Sequence, residues 1–302
     1  MPSPTAGRMA MGFPGVQVSR DSRSDIVVRG NSGVGLSWRL EGIDIPNPNH
    51  FARAGTSGGG ITIFSTALLG QSDFTTGAFP AEYGSAISGI FDIKFRKGNA
   101  EKREHTFKAG LLGLDFATEG PFKKGGRASY LINYRYSTLG ILNKMGINLV
   151  GPRTDNTFQD LSFNLHFPSK NNRDILGVWA IGGISSEVES AAKQADWKRF
   201  DDYHQYDFTT KMGAIGLTHT HLIGDDAFLK TSFAAMAQTI RVTDDTLDGA
   251  LQKGIFRDQD YLEGRYSLAS VFNKKISPKV SLKTGFAVSS LFYDLKREVL
   301  FF

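Results

Sequence analysis

From about residue 102 to the end of this 302-residue chain, strand-like segments are joined by connectors that alternate strictly between short and long. Short turns fall near 122–126, 168–173, 223–226 and 276–279. Long polar connectors fall near 138–156, 187–205 and 243–259. A two-sheet sandwich has no reason to keep that order. A transmembrane β-barrel does, because its turns are short on one side of the membrane and its loops long on the other. The segments read as strands of about 12–17 residues, and crossing a bilayer at a tilt takes ~9–11.

Period-two patterning supports strands. Tyr130, Ile132, Tyr134 and Tyr136 share one face, opposite Leu131, Asn133, Arg135 and Ser137. Leu161, Phe163, Leu165 and Phe167 oppose Ser162, Asn164 and His166, and Leu262, Tyr266, Leu268 and Phe272 oppose Glu263, Arg265, Ser267 and Asn273. Aromatic residues gather near strand ends, as an interfacial girdle would.

Composition narrows the function classes. Hydrophobic residues make up 40% of the chain, enough for a packed core. The net charge of +5 reads as a mildly basic surface. Nucleic-acid binding needs a dense basic stripe, and the cluster Lys94, Arg96, Lys97, Lys102 and Arg103 is diluted by Asp92, Glu101 and Glu104, so no nucleic-acid partner is expected. Cysteine is absent, which excludes disulfides and thiolate zinc sites. No apolar run approaches the roughly 18 residues of a membrane helix. Residues 1–13 lack a signal-peptide core, so an export signal is expected outside this sequence.

Residues 1–99 differ in composition, rich in Gly, Asn and Pro. Three blocks stand in order there: DIVVRGNS (25–32), WRLEGIDIPNPNHF (38–51) and LLGQSDFTTGAFPAEYGSAISGIFDIKFRKG (68–98). Together they resemble the plug domain of TonB-dependent outer-membrane receptors, in wording nearest the large Bacteroidetes type. EGPF at 119–122 is similar to the first periplasmic turn of such barrels. Because the family's plug hands over to the barrel from the periplasmic side, the resemblance implies a bend near Gly110–Gly113 that splits the first segment in two and gives nine strands, the last over about 279–296. Glu41 stands where the family usually has Asp, and Thr76 where Lys is common. The resemblance implies a mainly β protein: a small α/β plug over 1–99, N-terminally incomplete, then the first eight or nine antiparallel strands of an incomplete transmembrane β-barrel over 100–302. It implies an outer-membrane location and import of a scarce small solute with TonB-derived energy. Outer-membrane lipid, the TonB complex and a surface lipoprotein are the implied partners, although the segment that contacts TonB is expected to be missing. So short a stretch of barrel is not expected to form a working transporter alone.

The candidate plug-locking and plug-motif residues are Arg29, Gly30, Glu41, Gly42, Gly77, Glu82, Tyr83, Gly84 and Gly89. Arg29 follows the apolar run Ile26–Val28 and is expected near the packed edge. A buried arginine demands a carboxylate, and the resemblance implies a barrel glutamate, although none can be assigned. A solvated loop arginine is the alternative. The glycines fall where apolar runs switch abruptly, positions that favour positive φ or close backbone approach.

Catalytic signatures are missing: no nucleophile elbow, phosphate loop or dinucleotide fingerprint. His219 and His221 form an H-x-H on one strand face but lack an evident third ligand. They read as lumen-facing polar side chains, and Asp201–Asp202 and Asp244–Asp245 as solvated loop charge. No enzyme, metal or cofactor is expected. A secreted or surface β-sandwich that binds carbohydrate is the rival reading. It leaves the three plug blocks unexplained and would be soluble without detergent.

Overall fold

The computed structural model describes residues 15–18, 26–31, 33–84, 86–147, 149, 151 and 153–299. In the first part of the chain, β1 (Val16–Val18) and β2 (Ile26–Val28) pair antiparallel. A second sheet has the order β4 (Ile43–Ile45), β3 (Leu36–Leu40), β8 (Gly89–Ile93), β7 (Asp73–Thr75), with β3 and β8 parallel. Between them, β5 (Asn49–His50) and β6 (Ile61–Thr62) form a small ribbon.

Two tight turns explain two of the sequence blocks. Leu40 pairs with Ile43, and the intervening Glu41 and Gly42 have φ of 53° and 89°. Val28 bridges Asn31 across Arg29 and Gly30, at 51° and 78°. Two-residue hairpin loops need positive φ at both positions to match strand twist, and glycine meets that without steric cost. The described residues of this region hold no α-helix. A 3-10 turn spans Gly33–Gly35, and residues 66–68 form a turn. Ten residues separate β6 from β7, and Ser65 and Gly70 bound the apolar stretch too closely for helical turns.

The rest of the chain is one nine-stranded antiparallel sheet whose strands neighbour one another in sequence order. They are β9 (Glu104–Ala109), β10 (Gly113–Pro121), β11 (Ser129–Ser137), β12 (Thr154–Pro168), β13 (Asp174–Glu189), β14 (His204–Ile223), β15 (Ala227–Leu247), β16 (Lys253–Ser277) and β17 (Val280–Val299). This single-layer meander is not two stacked sheets. The bend at Gly110–Gly113 is present, its backbone closed by reciprocal Gly110 and Gly113 hydrogen bonds. The connector 138–153 carries a six-residue helix, α1 (Leu139–Lys144). No described helix is long and apolar enough to cross a membrane.

The expected long loop at 243–259 is instead a continued hairpin. β15 runs to Leu247 and β16 starts at Lys253, with a bulge at Asp244/Asp245. The segment is polar, so hydrophobic periodicity could not reveal it. Its strands are held by backbone pairing and by Arg257 bonding Asp244 at 3.1 Å. Strands of up to 25 residues result, longer than expected.

Every wall strand has an inner and an outer face. On β14, Tyr206, Phe208, Thr210, Met212 and Ala214 are buried, whereas Ile215 and Leu217 are exposed on the other face. The inner face meets the first part of the chain, which sits against it as a plug. One apolar core joins them: Trp38, Leu40, Phe64, Leu68 and Phe91 from the plug, with Trp179, Ile181, Met212 and Met236 from the wall. Each large apolar side chain so buried contributes roughly 1.5–3 kcal/mol.

Candidate functional site at the plug–wall interface

Core packing alone would let the plug slide. Polar ties fix its position, and the most buried is built on Asp160. Inner-face residues of β12 alternate with outer ones, so Asp160 points at the plug, between Phe158 and Ser162. Neighbouring Arg135 on β11 approaches it with two nitrogens, Nε at 2.9 Å from Oδ1 and Nη2 at 2.7 Å from Oδ2. The same Nη2 donates to the Thr62 carbonyl of the plug at 2.5 Å. His50, from plug strand β5, places Nε2 2.9 Å from Asp160 Oδ2. A carboxylate only accepts, so the imidazole carries its proton on Nε2.

Burial pushes the His50 pKa below the usual imidazole value. Its hydrogen bond to Asp160 and that carboxylate's charge oppose the shift, and the Arg135 charge reinforces it. The ring is therefore neutral at neutral pH. Room for it comes from Gly183 on β13: a Cβ there would lie 2.8 Å from His50 Cε1 and 2.9 Å from Ile63 Cδ1. Beside it, the Phe51 amide donates to Ser185 Oγ at 3.0 Å.

Glu41 makes a second tie. Its turn projects the carboxylate so that Oε1 accepts the Phe95 amide at 2.9 Å and Oε2 meets Lys230 of β15 at 3.0 Å. The Glu41 carbonyl also accepts from Ser232 at 3.3 Å. A third tie is the two-pronged pair of Arg96 with Glu119 on β10, at 2.8 and 2.6 Å. Two parallel charge-assisted bonds fix orientation as well as distance.

The other sequence candidates are dispersed. Arg29 is exposed, not buried at the plug edge, because it occupies the corner of a two-residue turn. Among the described residues no carboxylate bridges it. Its guanidinium lies over Gly77, where a Cβ would come 3.1 Å from Nη1. Glu82 pairs with Lys283 of β17 at 2.5 Å. Tyr83 donates to Asp92 at 3.1 Å and carries the Arg39 guanidinium over its ring, and burial raises its pKa. Gly89 lets Leu36 and Phe74 close over β8, whereas Gly84 has open space around its Cα.

The plug tip faces the long-loop end of the wall. Phe51 and Tyr261 pack there against the cluster of Tyr206, Phe208, Ile240 and Val242. Arg53 stays exposed, its guanidinium 5.7 Å from the Tyr206 ring and 5.8 Å from that of Phe208. A cation seated on aromatic faces can receive an anionic or π-rich molecule. At the opposite end, His219 and His221 converge on Asp174 Oδ1 at 3.2 and 2.7 Å. That cluster lies on the outer face, not the lumen. No group of three His, Asp or Glu among the described residues is arranged to hold a metal.

Sequence reasoning missed Asp160, Arg135 and Lys230. The available signal was a charge on the inner face of a membrane-length strand, where unpaired charge is costly.

No family model and no curated protein matches the sequence. Solved structures do match the fold. FpvA of Pseudomonas aeruginosa, bound to a heterologous pyoverdine, aligns with a TM-score of 0.70 at 14% identity, over 98% of this chain and 41% of that one. The ferric preacinetobactin receptor of Acinetobacter baumannii aligns at 0.59 and 11%, over 98% and 45%. The unliganded ferric citrate transporter FecA aligns at 0.57 and 10%, over 98% and 55%. The chain thus has the plug-and-wall fold of these receptors and spans about two fifths to just over half of their length.

Proposed function

We propose that the chain belongs to the TonB-dependent outer-membrane receptors, as their plug and opening barrel strands, and serves to import a scarce solute unchanged. The observation that carries this reading is Asp160, a wall carboxylate shared between a wall arginine and a plug histidine. Such a tie holds a separate body inside a barrel. On this reading the long loops face the outside, the short turns face the periplasm, and the apolar outer face meets lipid. Solute lands over Arg53 and its aromatic neighbours. The TonB complex pulls from the periplasmic side, loading the ties at Glu41 and Arg96, and a path opens along the inner face. The neighbours' ferric siderophore and ferric citrate cargo makes small iron chelates the first solutes to test. Cells carrying and lacking the gene, with and without TonB, would be compared for uptake of such chelates, vitamins and oligosaccharides. The reading expects a gene-dependent uptake that vanishes without TonB. Recovery of the protein in the soluble fraction without detergent would instead favour the carbohydrate-binding alternative.

A further inference from the structure

The chain's positive charge is concentrated at one end of the wall. The turn between β10 and β11 exposes Lys123, Lys124 and Arg127. The turn between β12 and β13 exposes Lys170 and Arg173, and the β16–β17 hairpin exposes Lys274, Lys275 and Lys279. Against these stand Asp225 and Asp226 on the remaining turn, and Asp174. The long-loop end is close to balanced: in the connector 190–203, Lys193, Lys198 and Arg199 are offset by Asp196, Asp201 and Asp202. The asymmetry is therefore a property of the short-turn rim.

Two further features organise that rim. Arg127 donates to the carbonyls of Ser169 and Lys170 and to Asn172 Oδ1, which clamps two neighbouring basic turns together. Immediately beside them lies an aromatic cluster: the Phe122 ring stacks on Phe167 at 5.2 Å and meets Tyr130 edge-on at 5.5 Å. Phe122 itself is 47% exposed. Aromatic rings favour the boundary between acyl chains and headgroups. Long basic side chains beside them reach into the headgroup layer.

We propose that this rim is a binding surface for the anionic phospholipid headgroups of the periplasmic leaflet. The inference rests on the receptor reading for the choice of leaflet. Its chemistry is that of phosphate met by lysine and arginine above an aromatic anchor. Clustered basic residues at a membrane surface attract anionic lipid additively, and salt within a Debye length screens the attraction.

The test uses the full chain reconstituted into phosphatidylcholine vesicles containing phosphatidylglycerol. Spin-labelled forms of each lipid report which one occupies the protein surface, and protease digestion reports strand insertion. Phosphatidylglycerol is expected to outcompete phosphatidylcholine several-fold at low salt, and the preference should collapse at about 1 M salt, where the Debye length is roughly 3 Å. The variant K123Q/K124Q/K274Q/K275Q should remove most of that preference, bringing the two lipids close to equal occupancy. Should that variant fail to insert, the salt response of the unaltered chain decides. Equal occupancy by the two lipids overturns the proposal. Protected strands without a preference defeat the rim alone. A salt-sensitive preference with digested strands upholds the rim, while the receptor reading stands or falls separately on TonB-dependent uptake.

Discussion

His50 and Asp160 meet across 2.9 Å with neither side chain more than 1% exposed, although 110 residues separate them in the chain. The contact joins two bodies that share no strand. Its consequences differ from those of surface ion pairs, because each partner depends on the other for hydrogen bonding.

Removing the acceptor should loosen the plug. Asp160→Ala leaves Arg135 and His50 buried without it, a loss of about 3–5 kcal/mol for a broken buried pair. Hydrogen exchange at Phe51 and Ile63 should accelerate strongly, while amides paired between β14 and β15 stay protected. Unchanged exchange at both plug positions would contradict the assigned tie.

Acid should have a related effect. His50 has a pKa depressed by burial, so the docked plug keeps its imidazole neutral while a released plug protonates it near pH 6.5. Protons therefore favour release: stability is intact above the ordinary imidazole range and falls as pH drops below it towards the depressed value. Exchange of plug amides followed from pH 7.5 to 5 should show this. His50→Gln should flatten the profile over that interval.

Glu41 and Lys230 offer a double-mutant test. Both side chains are partly exposed, 15% and 29%, so solvent weakens the pair. A coupling of about 1 kcal/mol is expected from thermal unfolding of E41Q, K230M and the double variant. Simple additivity would show that the Phe95 amide, not the lysine, is what Glu41 serves.

Gly183→Val should displace the plug, since even its Cβ would overlap His50 and Ile63. Overpacking of this sort costs about 1–3 kcal/mol. Gly182, whose Cβ would meet nothing nearer than 3.6 Å, is the adjacent control. Protease cleavage within 51–58 should rise in the first variant and stay unchanged in the second.

Much of the wall could be read from residue order because a two-residue period reports which face a side chain takes. Tyr134 and Tyr136 are outer and Asn133 and Ser137 inner, as the alternation implies. The polar hairpin at 243–259 lacked that contrast, so its pairing was invisible. Glu41 could be singled out by its block, but its partner Lys230 lies 189 residues away and no local pattern reports such a contact. For Arg29 the residue order left burial and solvent open, and in the fold it stands exposed at the corner of the Arg29–Gly30 turn.

The meander has a consequence for the order of assembly. Each wall strand pairs with its predecessor, so each step closes a short loop at small entropic cost. The Arg96–Glu119 tie spans 23 residues and can form with β10, whereas the ties of His50 and Glu41 span 110 and 189 and must wait for their strands. Asp160 becomes available once β12 is laid down, and Lys230 only after β13 and β14 have followed. The plug is thus held first through Arg96, next near its tip through His50, and last through Glu41, so an early-stalled chain would hold a tethered but still pivoting plug.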